Sequence, residues 1–373
     1  MSYELLGITV LWIFLFGYLI VASIDFGAGF FSYVSSITGK RHIINNVIER
    51  YLSPVWEVTN VFLIFFYVGL VGFFPDAAYY YGTALLVPGS LATILLAIRG
   101  SYYAFSTYGF KNNRVYMFLY GVSGWLIPAA LSTVLAVSEG GYITEQGGYI
   151  TFAFGKLFTN IYPYSVILLA LVSVLYISAM FLTYYAAKAE DSAALEVVRK
   201  YALFWSTPTI LASLFVFYAI RGHNLDHFNN MVSNAWMFIL SFLFFLIAVF
   251  CVWKRRNYGW AFACVVLQFG FAWFGYGKAH LPYVLYPYVN IHDSITNPSM
   301  ATAQIVVFIL GLLILIPSLF LLLRLFLFDA NYVKGNNIKL KGGLGNGEFS
   351  YLLRPADHRG LVHRIRILVG RPR

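Results

Sequence analysis

Nine stretches of this chain stay apolar for about 20 residues or more: about 6–36, 56–75, 78–107, 114–137, 162–187, 201–220, 231–253, 258–277 and 302–328. A helix rises 1.5 Å per residue, so each stretch is long enough to cross a hydrocarbon core of about 30 Å. Of the 373 residues, 60% are hydrophobic and 11% charged, with a mean hydropathy of +0.73. A soluble domain is about 45–50% apolar and about 25% charged. That excludes an ordinary soluble enzyme, a disordered chain and a secreted disulfide scaffold. The runs are continuous rather than alternating, which excludes the strands of a barrel. The expected fold is an all-α polytopic membrane protein of about nine transmembrane helices. A faint internal echo, Arg50-Tyr51 and Trp56 opening the second run and Lys200-Tyr201 and Trp205 opening the sixth, suggests two four-helix bundles plus one peripheral helix.

Lys and Arg set the expected orientation, because cytoplasmic loops hold the excess. The odd loops carry Lys40, Arg41, Arg50, Lys111, Arg114, Lys188, Arg199, Lys200, Lys254, Arg255 and Arg256, and the even loops only Lys156, Arg221 and Lys278. The N-terminus is expected outside and the C-terminus in the cytoplasm. The first run is too long and lacks the basic flank of a secretory signal. The third and fifth runs are long enough to tilt or to extend past the bilayer. The net charge of +10 is concentrated in a tail: residues 331–373 hold nine Lys/Arg and two Asp/Glu. Residues 1–333 are expected to form one transmembrane domain. Residues 334–373, basic and Gly-containing, are expected to be a flexible or appended tail, with lipid binding the other reading. Nothing in this charge pattern calls for nucleic acid. Cys251 and Cys264 form no ligand motif and read as small apolar residues. Two even loops are long, Ser138–Tyr162 and Gly277–Met300, and could cover a site, contact a partner or simply connect spans.

Ionisable groups inside a bilayer are costly, which makes each a functional suspect. Asp25 lies about 20 residues into the first run, Glu57 opens the second, and Arg99 lies about 21 residues into the third. Counted along helices of alternating direction, all three fall in the inner third of the membrane. One reading is a salt-bridged cluster that holds three helices together. The other is a proton path open to the cytoplasm, with Asn60, Thr59 and Ser23 as relays. Arg324 can snorkel to the interface, and Asp76 and Lys156 lie at the outer surface. Met180 and Met237 read as packing, and the Tyr-rich span ends at Tyr79–Tyr81 and Tyr283, Tyr286 and Tyr288 as an interfacial belt.

The histidines, His42, His223, His227, His280, His292, His358 and His363, fall in loops, at span ends or in the tail. No pair stands at mid-membrane depth to ligate a b-type heme. His223 and His227 have i,i+4 spacing and could bind a metal at the outer surface. No further ligand is in view, so no metal site is assigned. No phosphate-binding glycine motif is present, which argues against an ATP-driven pump.

Three blocks in order carry a family resemblance. They are Ser23-Ile24-Asp25-Phe26-Gly27-Ala28-Gly29; Pro54-Val55-Trp56-Glu57-Val58-Thr59-Asn60-Val61-Phe62-Leu63, preceded by a basic loop with Asn46; and Phe74-Pro75 on to Arg99-Gly100. The stretch from Ala22 to Phe105 resembles subunit II of cytochrome bd-type quinol oxidases. There the first block is typically Asp-Gly-Phe-Asp-x-Gly-x-Gly and the second Pro-x-Trp-Asp-Gly-Asn-x-Val-Trp-Leu. This chain departs from the pattern at Ala22, Glu57, Val58, Thr59 and Phe62. The tail after about 334 does not match.

The resemblance implies a bacterial plasma-membrane subunit of an enzyme that oxidises quinol and reduces oxygen to water, inactive alone. It implies two b-type hemes and one d-type heme, all in a partner subunit I and none ligated here, and a small single-helix third subunit as a further partner. Lipid and quinol complete the expected contacts. Asp25 and Glu57 would be carboxylates on a proton route, with Asn60 beside them. Arg99 would support that pair or, with Trp56, lie near a partner heme. The reading from a different class is a standalone secondary transporter with buried charges at broken helices.

Overall fold

Three helix starts in this chain coincide with side chains that accept the free amide protons of a first turn. Asn160 accepts from Tyr162 N, Asp191 from Ala194 N, and Asn224 from His227 N. Each opens a new helix in the computed structural model, which describes residues 3–39, 48, 59–108, 114–146 and 149–323. The helices are α1 (Tyr3–Ile37), α2 (Thr59–Phe73), α3 (Pro75–Ala84), α4 (Leu86–Tyr108), α5 (Arg114–Ser138), α6 (Phe154–Thr159), α7 (Ile161–Lys188), α8 (Ser192–His223), α9 (Leu225–Ser233), α10 (Ala235–Trp253), α11 (Tyr258–His280) and α12 (Pro298–Leu323). Two small antiparallel hairpins lie in the two long loops: β1 (Ile143–Gln146) with β2 (Tyr149–Phe152), and β3 (Tyr283–Leu285) with β4 (Val289–Asn290).

Seven helices among the described residues, α1, α5, α7, α8, α10, α11 and α12, are long and apolar enough to cross a membrane. The α2–α3 pair makes at most eight if it is one span, but it is bent by 119°. The cause is Pro75: a residue before proline is pushed out of the helical region, and Phe74 sits at φ −133°, ψ 71°. The long third run therefore is not one helix. It breaks at Leu85, between α3 and α4. The fifth run, by contrast, is the single 28-residue α7. Interior prolines at 128, 208 and 317 are carried within α5, α8 and α12, as spanning helices commonly allow. The element order repeats, with α1 to α5 echoed by α7 to α11. In each set the third member is a short helix of nine or ten residues, α3 or α9.

α7 is the central element, packed against α1, α5, α8 and α11. Small residues permit this. A Cβ on Gly27 of α1 would fall on Ser178 and on the Val174 carbonyl of α7, and Ser178 Oγ donates to Ile24 O at 2.9 Å. Close backbone approach of this kind is the usual adhesive between helices in lipid. A second apolar cluster joins α1, α2 and α12 through Phe14, Phe65, Phe73 and Phe308. The outer faces of α10 and α12 stay exposed and apolar, with Ile239, Phe242, Leu313 and Ile314 among them, as lipid-facing surfaces require.

α1 and α11 are joined by a reciprocal pair. Trp12 Nε1 donates to Trp273 O at 3.0 Å and Trp273 Nε1 to Trp12 O at 3.2 Å, with the rings stacked 4.4 Å apart. Aromatic pairs contribute about 0.5–1.5 kcal/mol beyond buried area. A double-mutant cycle of Trp12→Leu and Trp273→Leu, read by thermal unfolding, should give a coupling of about that size or more, because each ring also holds the other's carbonyl.

Candidate functional site

Two of the residues singled out by charge meet. Arg99 on α4 reaches Asp25 on α1, with Nε donating to Oδ2 at 2.8 Å and Nη2 to the Asp25 carbonyl at 2.6 Å. Nη1 donates to Tyr120 O on α5 at 2.9 Å. The Arg99 carbon Cζ stands 4.0 Å from the centre of the Tyr120 ring, which stacks on Tyr102. Arg99 is 0% exposed and Asp25 2%. The guanidinium fits because glycines surround it: a Cβ on Gly29 would lie 2.9 Å from Nη1 and Nη2, and one on Gly124 3.0 Å from Nη1. Gly29 of the first sequence block and Gly124 of α5 thus clear space for the charge.

The salt-bridged cluster expected from sequence is therefore present for Asp25 and Arg99. Glu57 and Trp56, the other members expected here, lie outside the described residues, as does Arg324. Thr59 and Ser23 are buried and Asn60 partly buried. Arg99 is enclosed within this chain's own helices. Its guanidinium bonds to Asp25 on α1 and to the Tyr120 carbonyl on α5.

A second polar cluster was not singled out from sequence. Glu139 follows the last residue of α5, where the helix dipole disfavours a negative charge. The chain turns away immediately through Gly140 and Gly141, at φ +80° and +85°, a region glycine enters freely. The carboxylate is enclosed by donors. Tyr276 donates to Oε1 at 2.5 Å, His227 Nδ1 lies 2.7 Å from the same oxygen, and His280 Nδ1 3.4 Å from it. Asn224 Nδ2 donates to Oε2 at 2.9 Å. Burial works to raise the affinity of Glu139 for its proton. The charge of His280 and the hydrogen bond from His227 override it and hold the carboxyl well below the usual range. Tyr120 and Glu139 are 19 residues apart, so the two clusters stand about 28 Å apart along α5, near its opposite ends.

His223 and His227, whose i,i+4 spacing allowed a shared metal without one being assigned, do not form one ligand set. The i,i+4 rule presupposes one helix, and Asn224, at φ −138° and ψ 92°, ends α8 between them. His223 turns to Gly140 O at 3.1 Å and Asn160 Nδ2 at 2.8 Å, stacked on Tyr162. His227 turns to Glu139, and its companion is His280. Two sequence signals pointed there: a carboxylate directly before Gly-Gly at a span end, and Tyr276 and His280 one turn apart on α11.

Removing one member of a buried ion pair leaves the other charge unpaired and costs about 3–5 kcal/mol, whereas an apolar replacement of both can be near neutral. Asp25→Leu or Arg99→Met alone should lower the thermal stability of the assembled protein sharply. The double variant should recover most of the loss in the same unfolding measurement. Gly29→Val should behave like the single variants, because its side chain would occupy the guanidinium's space.

Comparison with known proteins adds what geometry does not. Residues 3–326 match the family model of cytochrome bd terminal oxidase subunit II. A curated protein of Bacillus subtilis (strain 168), a cytochrome bd menaquinol oxidase subunit II, is 33% identical over 339 residues, covering 88% of this chain and 97% of its own. A chain in the structure of the bd oxidase from Geobacillus thermodenitrificans is 56% identical, with a TM-score of 0.78, covering 88% of this chain and 100% of its own. With seven helices fit to cross a membrane and a match along nearly the whole length of two relatives, this chain belongs to the cytochrome bd terminal oxidase subunit II family.

Proposed function

We propose that the chain is the heme-free subunit II of a bacterial membrane quinol oxidase, pairing with a heme-bearing subunit I and lending it a cytoplasmic-side proton path. The observation that carries this reading is the likeness to the Geobacillus oxidase chain at 56% identity over all of that chain. Family membership does not favour the standalone transporter.

The heme-free reading rests on where the histidines stand. His223, His227 and His280 lie at helix ends, and each ring faces partners in its own chain. They do not offer facing ligands at mid-membrane depth, so the two b-type hemes and one d-type heme belong in the partner. Those hemes would supply electron transfer from quinol to oxygen. This chain's share is to position charge: Arg99 fixes Asp25 Oδ2 on α1, and Glu57 and Asn60 stand at the start of the second apolar run. Glu57 would hand protons inward from the cytoplasm, with Asn60 as relay and Asp25 as the fixed acceptor-bearing end. Trp56 would pack towards the partner. A small third subunit would add a single helix at the periphery.

The finer topology belongs to the same proposal. Counting α2 and α4, the nine apolar runs would form two four-helix units, α1–α5 and α7–α11 without their short helices, with α12 outside them. The N-terminus would be outside and the C-terminus cytoplasmic, beyond which residues 334–373 would form a basic tail able to meet anionic lipid.

Isolation of the chain from native membranes in mild detergent should bring down a second large subunit, with b- and d-type heme bands in the reduced-minus-oxidised spectrum. A colourless, monodisperse single chain would overturn the proposal. Glu57→Gln should leave assembly and heme bands intact while slowing oxygen consumption about tenfold or more, the scale of losing one positioned proton carrier. Unchanged turnover would remove Glu57 from the path, and loss of assembly would make its role structural.

A further inference from the structure

We propose that Glu139, His227 and His280 form a binding site for a divalent transition-metal ion, zinc being the best fit, which clamps the ends of α5 and α11 to α9. Each residue offers one ligand atom, and the three atoms lie within 4.8 Å of one another. Two imidazole nitrogens and a carboxylate oxygen are a zinc donor set, and donors 2.0–2.1 Å from a tetrahedral ion lie about 3.3 Å apart. His280 Nδ1 is already 3.4 Å from Glu139 Oε1. His227 Nδ1, at 2.7 Å from the same oxygen, needs to open by about half an ångström and to give up any proton on Nδ1 to solvent as the ion takes its place.

Three further observations fit metal ligation better than a plain ion pair. The first is the outer set of contacts. A metal-bound histidine characteristically gives its other ring N–H to a carbonyl or carboxylate, and His227 Nε2 faces Tyr276 O at 3.3 Å. The second is the division of labour on the carboxylate: Asn224 holds Oε2 at 2.9 Å and so aims Oε1 at the two histidines. The third is His280 itself. Its side chain is 10% exposed, its Nε2 is buried without a hydrogen-bond partner, and its Nδ1 is too far from Oε1 for an ordinary N–H···O bond. An ion at the cluster would supply the strong contact at Nδ1 that the protein does not. Tyr276, donating to Oε1 at 2.5 Å, screens the site, and three protein ligands leave a fourth position for water. The donor set is borderline in softness and has no thiolate, which favours zinc over copper(I), and its nitrogens disfavour magnesium and calcium.

The test uses the assembled complex, carrying no polyhistidine tag, equilibrated with zinc chloride, freed of loose metal by gel filtration and analysed by mass spectrometry of its metals. Wild type should hold about one zinc more per complex than His280→Gln or Glu139→Gln, and a chelator should lower the wild-type unfolding temperature while leaving that of the variants unchanged. Equal zinc in wild type and variants would overturn the proposal. Should the variants not assemble, anomalous diffraction at the zinc edge from wild-type crystals decides. A peak among Glu139, His227 and His280 supports the site, and its absence after zinc soaking refutes it.

Discussion

A guanidinium enclosed to its last atom inside an apolar bundle has to be neutralised and hydrogen-bonded where it stands, because neither water nor lipid can do it. Arg99 imposes that demand on three helices at once. α1 supplies the Asp25 carboxylate and carbonyl, α5 supplies the Tyr120 carbonyl and ring, and the glycines of α1 and α5 supply the room. The register of α1 against α4 and α5 is thereby pinned at one depth. Apolar helices in lipid lack a strong preference for one sliding position, so a single charged knot of this kind can decide it.

The same demand is met at the other end of α5. Glu139 sits where the helix dipole repels it and where little solvent reaches, and four side chains from α9, α11 and the α8–α9 junction converge on its two oxygens. That convergence depends on two breaks in the chain. Gly140 and Gly141 turn it away from α5, and Asn224 ends α8 and caps α9, placing His227 inward. The short helices α3 and α9 are thus more than connectors. Each redirects the chain between spanning segments, and α9 delivers His227 to Glu139.

Among the described residues Asp25 and Arg99 fix each other, His223, His227 and His280 are engaged at helix ends, and α10 and α12 offer broad apolar faces. The Asp25–Arg99 pair and the metal clamp proposed at Glu139 meet α5 near its opposite ends. Either can therefore be altered without touching the other.

Much of this was legible in the residues. Long apolar runs require helices and a membrane, because nothing else satisfies their backbone in lipid. Asp25 and Arg99 were legible as a pair, because two rare charges at matched depth have few other ways to be tolerated. The family showed in the ordered blocks around Asp25, Pro54 to Leu63 and Arg99. Three things needed the tertiary structure. The break at Phe74–Pro75 looks like a loop edge in the sequence, and only the 119° bend shows the chain turning back. The burial of Arg99 within its own chain is set by glycines on two other helices. The Glu139–His227–His280 cluster gathers residues 53 to 141 positions apart. Helical periodicity relates a residue only to neighbours within a turn or two on one helix, and once Asn224 breaks that helix the partner of His227 is decided by packing alone.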